Sequence, residues 1–166
     1  LRRGGSVVAV HEQIPDRRWF GNMPELFIEK RGEGVDVLIE RIEQAANQYP
    51  YHREYWIWPG PNSNTFTAWI SRAVPELGLD LPPTAIGKDF LGKEWVATAP
   101  SGHGWQWSMF GLLGVTVSQI EGFELNILGL TFGIDPNPFA IKLPLIGRID
   151  IPILDIFIAP STIQEQ

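Results

Sequence analysis

Val35, Leu38, Ile42, Ala45 and Tyr49 recur at helical spacing with Glu and Arg between them. With Gly34 before and Pro50 after as punctuation, this stripe predicts a surface helix over residues 35–49. A second stripe, Phe66, Trp69, Ile70, Ala73 and Val74, falls at i, i+3, i+4, i+7 and i+8. It predicts a helix over residues 63–74 that Pro75 ends, with Asn62, Ser63 or Asn64 placed to cap the unpaired amides of its first turn. Farther along, Phe123, Leu125 and Ile127 alternate with Glu124 and Asn126, the period-two pattern of a strand. Apolar parity then reverses, because Leu128, Leu130, Phe132 and Ile134 continue it, and the reversal predicts a bulge or corner near Gly129. Shorter strands are expected over residues 6–10 and 94–97, and over 143–158, with Pro144 and Pro152, either an edge strand or extended packing against the core. Residues 79–91, with Pro82-Pro83, read as a turn-rich connector. The sum is an α+β domain: a few helices packed on an antiparallel sheet that the C-terminal part largely supplies.

Composition changes this picture in two places. A chain of 166 residues, 44% hydrophobic, suits one domain over residues 1–166. Of its charged residues, 24 fall in residues 1–94 and 8 in residues 95–166. The drier second part implies either strands buried on both faces or a surface that meets a protein partner or a membrane surface. Its longest uncharged stretch, 95–120, holds Pro100, His103, Gln106 and several Gly, so it is too polar and broken for a spanning helix. A net charge of -6 and a pI near 5.0 argue against nucleic acid as a partner, since that binding rests on clustered cations. Without Cys there is neither a disulfide framework nor a thiolate site. The start at Leu1, with neither Met nor a signal-peptide pattern, predicts that an upstream N-terminal segment is lacking.

Candidate chemistry is sparse. Asp80, Asp89 and Glu94 sit in no defined ligand loop and read as solvated loop charges, so no metal is expected. Gly111-Leu112-Leu113-Gly114 lacks the Lys and Ser or Thr of a phosphate loop, and no cofactor is expected. Trp56 and Trp58 share parity, as do Trp105 and Trp107; such pairs either line a groove for a ligand or fill the core, and core packing is the favoured expectation. His103, in Ser101-Gly102-His103-Gly104-Trp105, sits in a turn able to border a pocket.

The run Trp58-Pro59-Gly60-Pro61-Asn62-Ser63-Asn64-Thr65-Phe66 with Thr67-Ala68-Trp69-Ile70 resembles the bacterial domain-of-unknown-function family 3750. So do Val74-Pro75-Glu76-Leu77, residues 81–89, Ala99-Pro100-Ser101-Gly102 and residues 111–116. That resemblance carries no activity; it implies an envelope-associated protein. More weakly, Asn62-Ser63-Asn64-Thr65-Phe66 is similar to the motif that opens the nucleophile helix in permuted papain-like domains, with Ser63 where those carry cysteine. That similarity implies a permuted papain-like topology and a histidine base on a preceding strand, for which His11 is the nearest local candidate. Serine gains less than cysteine from a helix start, because its hydroxyl stays protonated without a base directly on it. Two functions are therefore expected in order. The first is a non-catalytic binding or assembly module working through the dry C-terminal part, with Asn62, Asn64, Trp56, Trp58, His103 and Trp105 as binding residues. The alternative is an amide or ester hydrolase with Ser63 as nucleophile.

Overall fold

The computed structural model describes residues 5–9, 18 and 21–152. Helix α1, Val35–Asn47, turns its stripe inward at Ala45 and ends ahead of the buried Tyr49. Helix α2, Ser63–Ala73, opens on a reciprocal cap in which Asn62 Oδ1 accepts from the amides of Asn64 and Thr65 while Thr65 Oγ1 accepts from the amide of Asn62. The capping residue is thus Asn62, and Ser63 is the first residue of the helix. The two helices are tied by Trp69, whose indole donates to the Ala45 carbonyl at 2.8 Å, and by Tyr49, which packs edge-on against Phe66 and Trp69.

Among the described residues a single sheet of seven strands follows, every neighbour antiparallel and every strand beside its successor. Its strands are β1 Val96–Thr98, β2 Gly104–Met109, β3 Leu113–Ser118, β4 Gly122–Ile127, β5 Leu130–Pro136, β6 Phe139–Leu143 and β7 Gly147–Asp150. Consecutive hairpins put the β2–β3, β4–β5 and β6–β7 turns at one end and the β1–β2, β3–β4 and β5–β6 turns at the other.

Register makes each face a set of straight rows. On one face Thr98, Trp105, Val117, Phe123, Ile134, Ile141 and Ile149 are successive partners across all seven strands. On the other, Ala97, Gln106, Thr116, Glu124, Gly133, Lys142 and Arg148 pair in the same order. The core lies against the second, polar face. Gln106, Ser108, Thr116 and Glu124 have no exposed surface, and Lys142 only 1%. The body of the protein covers this face: Arg72 of α2 donates to Gln106 and to the Thr98 carbonyl, and residues 80–89 bring Asp80, Lys88 and Asp89 onto it. The apolar cluster of Ala68, Leu81 and Ala85, with Leu79 against it, is small by comparison.

Several expectations change. The parity reversal at Gly129 marks a two-residue hairpin turn, Leu128-Gly129, between paired Ile127 and Leu130, and not a bulge. Residues 6–9 form no strand; Val7 instead donates its amide to the His52 carbonyl. The short strand expected over 94–97 is Val96–Thr98, starting two residues later and ending one later, and residues 143–150 turn back on themselves as the β6–β7 hairpin. Residues 153–158 of the expected edge strand or extended segment lie outside the described residues.

Candidate functional site

The buried face is an ion network. Lys142 Nζ reaches Asp80 at 2.7 Å, the Glu121 carbonyl at 2.9 Å and Glu124 at 3.1 Å. Lys88 Nζ meets the same Glu124 carboxylate at 2.9 Å and donates to the Leu81 carbonyl at 2.8 Å. Burial works to lower the Lys142 ammonium, but Glu124 and Asp80 outweigh it and hold it above its ordinary value. Asp80 and Asp89 are pushed up, chiefly by burial, against the pull of the nearby cations. Arg72 is lowered to about 10, again by burial first. The expectation of solvated loop charges therefore fails for Asp80 and Asp89: Asp89 is 1% exposed, because the connector folds onto the sheet rather than into water. The smallness of Gly114 permits this, since a Cβ there would sit 3.1 Å from Asp89 Oδ2. Asp80, Lys88, Glu124 and Lys142 are paired with one another inside the protein, so this network reads as architecture.

The opposite face is open. Trp105 is 69% exposed, Val117 55%, Phe123 50% and Ile134 48%, with Ile127, Leu130, Phe132 and Ile149 also exposed. The face carries no charged side chain, and among its described strand positions Thr98 alone bears a hydroxyl. Seven strands about 4.8 Å apart and roughly 20 Å long give a face of about 600 Å², at the top of the range for the largest apolar patch on a soluble monomer.

One end of the sheet is apolar too. Phe110, Leu128, Leu145 and Ile146 occupy its three hairpin tips and are exposed. The segment Tyr55, Trp56, Ile57 and Trp58 joins them, for the Trp58 indole donates to the Leu128 carbonyl at 2.8 Å. Together with Ser6, Val7, Ala9 and Arg53 these four residues line a cleft of about 820 Å³. The far end is polar, with His103, Gln119 and Asn137 in its turns.

The candidate residues of the sequence divide accordingly. Trp56 and Trp58 stand at the apolar end and Trp105 on the apolar face, all exposed, which corrects the expectation of core packing: the polar network occupies the interior they were expected to fill. His103 lies in the β1–β2 turn at the far end, its Nδ1 3.0 Å from the Ser101 carbonyl. Asn62 is buried, and its amide nitrogen donates to the Ile57 and Ile86 carbonyls, so its side chain pins the connector to the helix start. Asn64 donates to the same Ile86 carbonyl. Ser63 is exposed, and its hydroxyl makes no hydrogen bond to any described residue, His52 and His103 included. His11 lies outside the described residues.

Sequence reasoning missed Phe110, Leu128 and Leu145. The signal was present as Phe110-Gly111 and Leu128-Gly129, hydrophobic-Gly pairs standing where a tight hairpin favours Asn-Gly.

The fold and surface thus define a class: an α+β domain whose antiparallel meander buries its polar face and leaves its apolar face open. A model of the family described as Protein of unknown function (DUF3750) matches residues 2–90, more than half of the chain, and the chain belongs to that family. No curated protein and no solved structure matches it.

Proposed function

We propose that this protein is a non-catalytic binding module whose working surface is the apolar face of its sheet. The observation that carries the reading is the inversion of the meander. Lys88, Glu124 and Lys142 are turned inward and paired with one another, while an uncharged apolar face of about 600 Å² is left to the outside. That area approaches the ~800 Å² per partner of a standard interface.

The test is to charge the face. Phe123→Lys with Ile134→Lys places two cations in one cross-strand row at positions 50% and 48% exposed. The expected result is a double variant that melts within a few degrees of the parent, stays monodisperse at high concentration and loses binding of hydrophobic dyes and detergent micelles. A double variant that instead fails to fold, alongside single variants each destabilised by several kcal/mol as buried positions are, overturns the reading, for the face would then be core.

A second reading has one observation in its favour. Ser63 stands exposed on the first turn of α2 with a free hydroxyl, the position a nucleophile takes in the permuted papain-like topology. Loss of labelling by a fluorophosphonate probe in Ser63→Ala tests it; absence of labelling in the parent protein removes it.

A further inference from the structure

Resting on the binding-module reading, we infer that the occupant of the apolar face is lipid hydrocarbon, and that the protein enters one leaflet of a bilayer with the β2–β3, β4–β5 and β6–β7 tips leading.

The first argument is what a partner must cover. A second copy packed face to face would bury the rows through Trp105 and Val115 but leave the hairpin tips beyond the edge of the sandwich, in water. Phe110 is 49% exposed, Leu128 59%, Leu145 78%, Ile146 69% and Ile57 81%, and all belong to one end. A continuous apolar medium covers a face and its end together.

Backbone conformation gives the second argument. Phe110, Leu128 and Leu145 have φ of 56°, 53° and 65°, and they are the non-glycine residues of positive φ among those described. A bulky side chain in this region is costly, and tight turns normally give the place to Asn, Asp or Gly. All three such residues fall on the same end of one sheet, at its three tips, and all three are large and apolar. Folding in water alone would have favoured polar turn residues there. Insertion supplies the reason, because a tip in hydrocarbon gains from every apolar atom.

Charge and length supply the third. The face and tips carry neither Lys nor Arg, and the whole chain has net charge -6, so the attraction is not to anionic headgroups. The longest strand among the described residues has 7 residues, whereas a tilted strand needs about 9–11 to cross a bilayer. Entry is therefore into one leaflet, with the body that covers the polar face held at the interface.

The full chain is floated with zwitterionic phosphatidylcholine vesicles at low and high salt and compared with Phe110→Asn/Leu128→Asn/Leu145→Asn. Asn accepts the left-handed conformation, so the triple variant is expected to melt no lower than the parent. The parent is expected to float at both salt concentrations, and the variant to partition on the order of a hundredfold more weakly, three apolar side chains being withdrawn. Flotation unaffected by the three substitutions overturns tip-first entry, and flotation that requires anionic lipid and vanishes in salt overturns hydrocarbon as the occupant. If the parent does not float but sediments as a dimer that Phe123→Lys/Ile134→Lys dissociates, the lipid inference fails and the binding-module reading stands. If it neither floats nor self-associates and those face substitutions change nothing, both fail.

Discussion

The two faces of this sheet share strands, backbone and register, yet they exchange the usual roles. In a one-sided antiparallel sheet the apolar rows meet the core and the polar rows meet water. Here Glu124 and Lys142, whose residues are linked through Gly133 in one inner row, are buried, and Phe123 and Ile134, paired in the neighbouring outer row, are half exposed. The difference teaches that alternation identifies a strand without saying which face is inside. What decides is the matter available to cover each face. Residues 80–89 bring Asp80, Lys88 and Asp89, chemistry that complements Glu124, Lys142 and Ser108 and would be wasted against Phe123 and Ile134.

Breaking the buried network should give the largest effect. Lys142→Met fits a long apolar side chain into the space but strands Asp80 and leaves Glu124 with Lys88 as its cation. The cost expected in chemical denaturation is about 3–5 kcal/mol, the scale for removing one partner of a buried ion pair. Asp80→Asn added to Lys142→Met should recover part of it, because the second change removes the charge that the first one strands. Additive losses would mean that the two side chains contribute independently, and the face would then be held by packing rather than by its ions.

A smaller pair sharpens the same contrast by steric means. Gly114 faces the connector, where a Cβ would meet the Trp107 carbonyl at 3.0 Å and Asp89 Oδ2 at 3.1 Å. Gly114→Ala is expected to cost about 1–3 kcal/mol, the range for overpacking. Val117→Ala, on the neighbouring position parity and 55% exposed, is expected to cost within about 0.5–1 kcal/mol. Equal losses would show that the outer face is packed as tightly as the inner one, and denaturation midpoints of the two variants decide the matter.

How far the sequence reveals this arrangement depends on the kind of signal. Both helices are legible because a stripe at 3.6-residue spacing admits one reading, and Asn62 is legible as one of three capping candidates. Strands β4 and β5 are legible as alternation, but their orientation is not: Glu124 and Asn126 carry the same letters whether they face water or Lys88 and Lys142. The β4–β5 turn hides because Leu128 occupies a place that Asn or Gly usually marks. Asp89 misleads for a related reason, since a carboxylate in a Pro- and Gly-rich connector looks solvated until Gly114 opposite it is seen to leave room for burial. Trp56, Trp58 and Trp105 read as core because most tryptophans are; the exchange of faces puts Trp105 outside, and the position of residues 55–58 at the end of the sheet does the same for Trp56 and Trp58.

The finest test concerns whether the buried face is at ease with all of its charges. Burial raises Asp89 above the ordinary carboxylate range, and Lys88, Ser108 and Arg72 offset it only in part. A carboxyl raised in the folded state binds its proton more readily there than in the unfolded chain, so its ionisation opposes folding. The sign follows: between the ordinary aspartate value of about 3.9 and the raised value, stability falls as pH rises, and the deficit persists at neutral pH. Asp89→Asn keeps the shape and an oxygen for the Ser108 hydroxyl while removing the charge. The variant is expected to equal or exceed the parent in thermal midpoint at pH 7, and the gap should close as the pH is lowered below about 4. Asp80, also raised by burial but held by Lys142 at 2.7 Å, is present in both proteins and cancels in the difference. An Asn variant clearly less stable than the parent at neutral pH would mean that Arg72 and Lys88 need the carboxylate more than burial resists it. The polar face would then be a fully charge-matched interior, as distinct from the apolar face in its electrostatics as in its exposure.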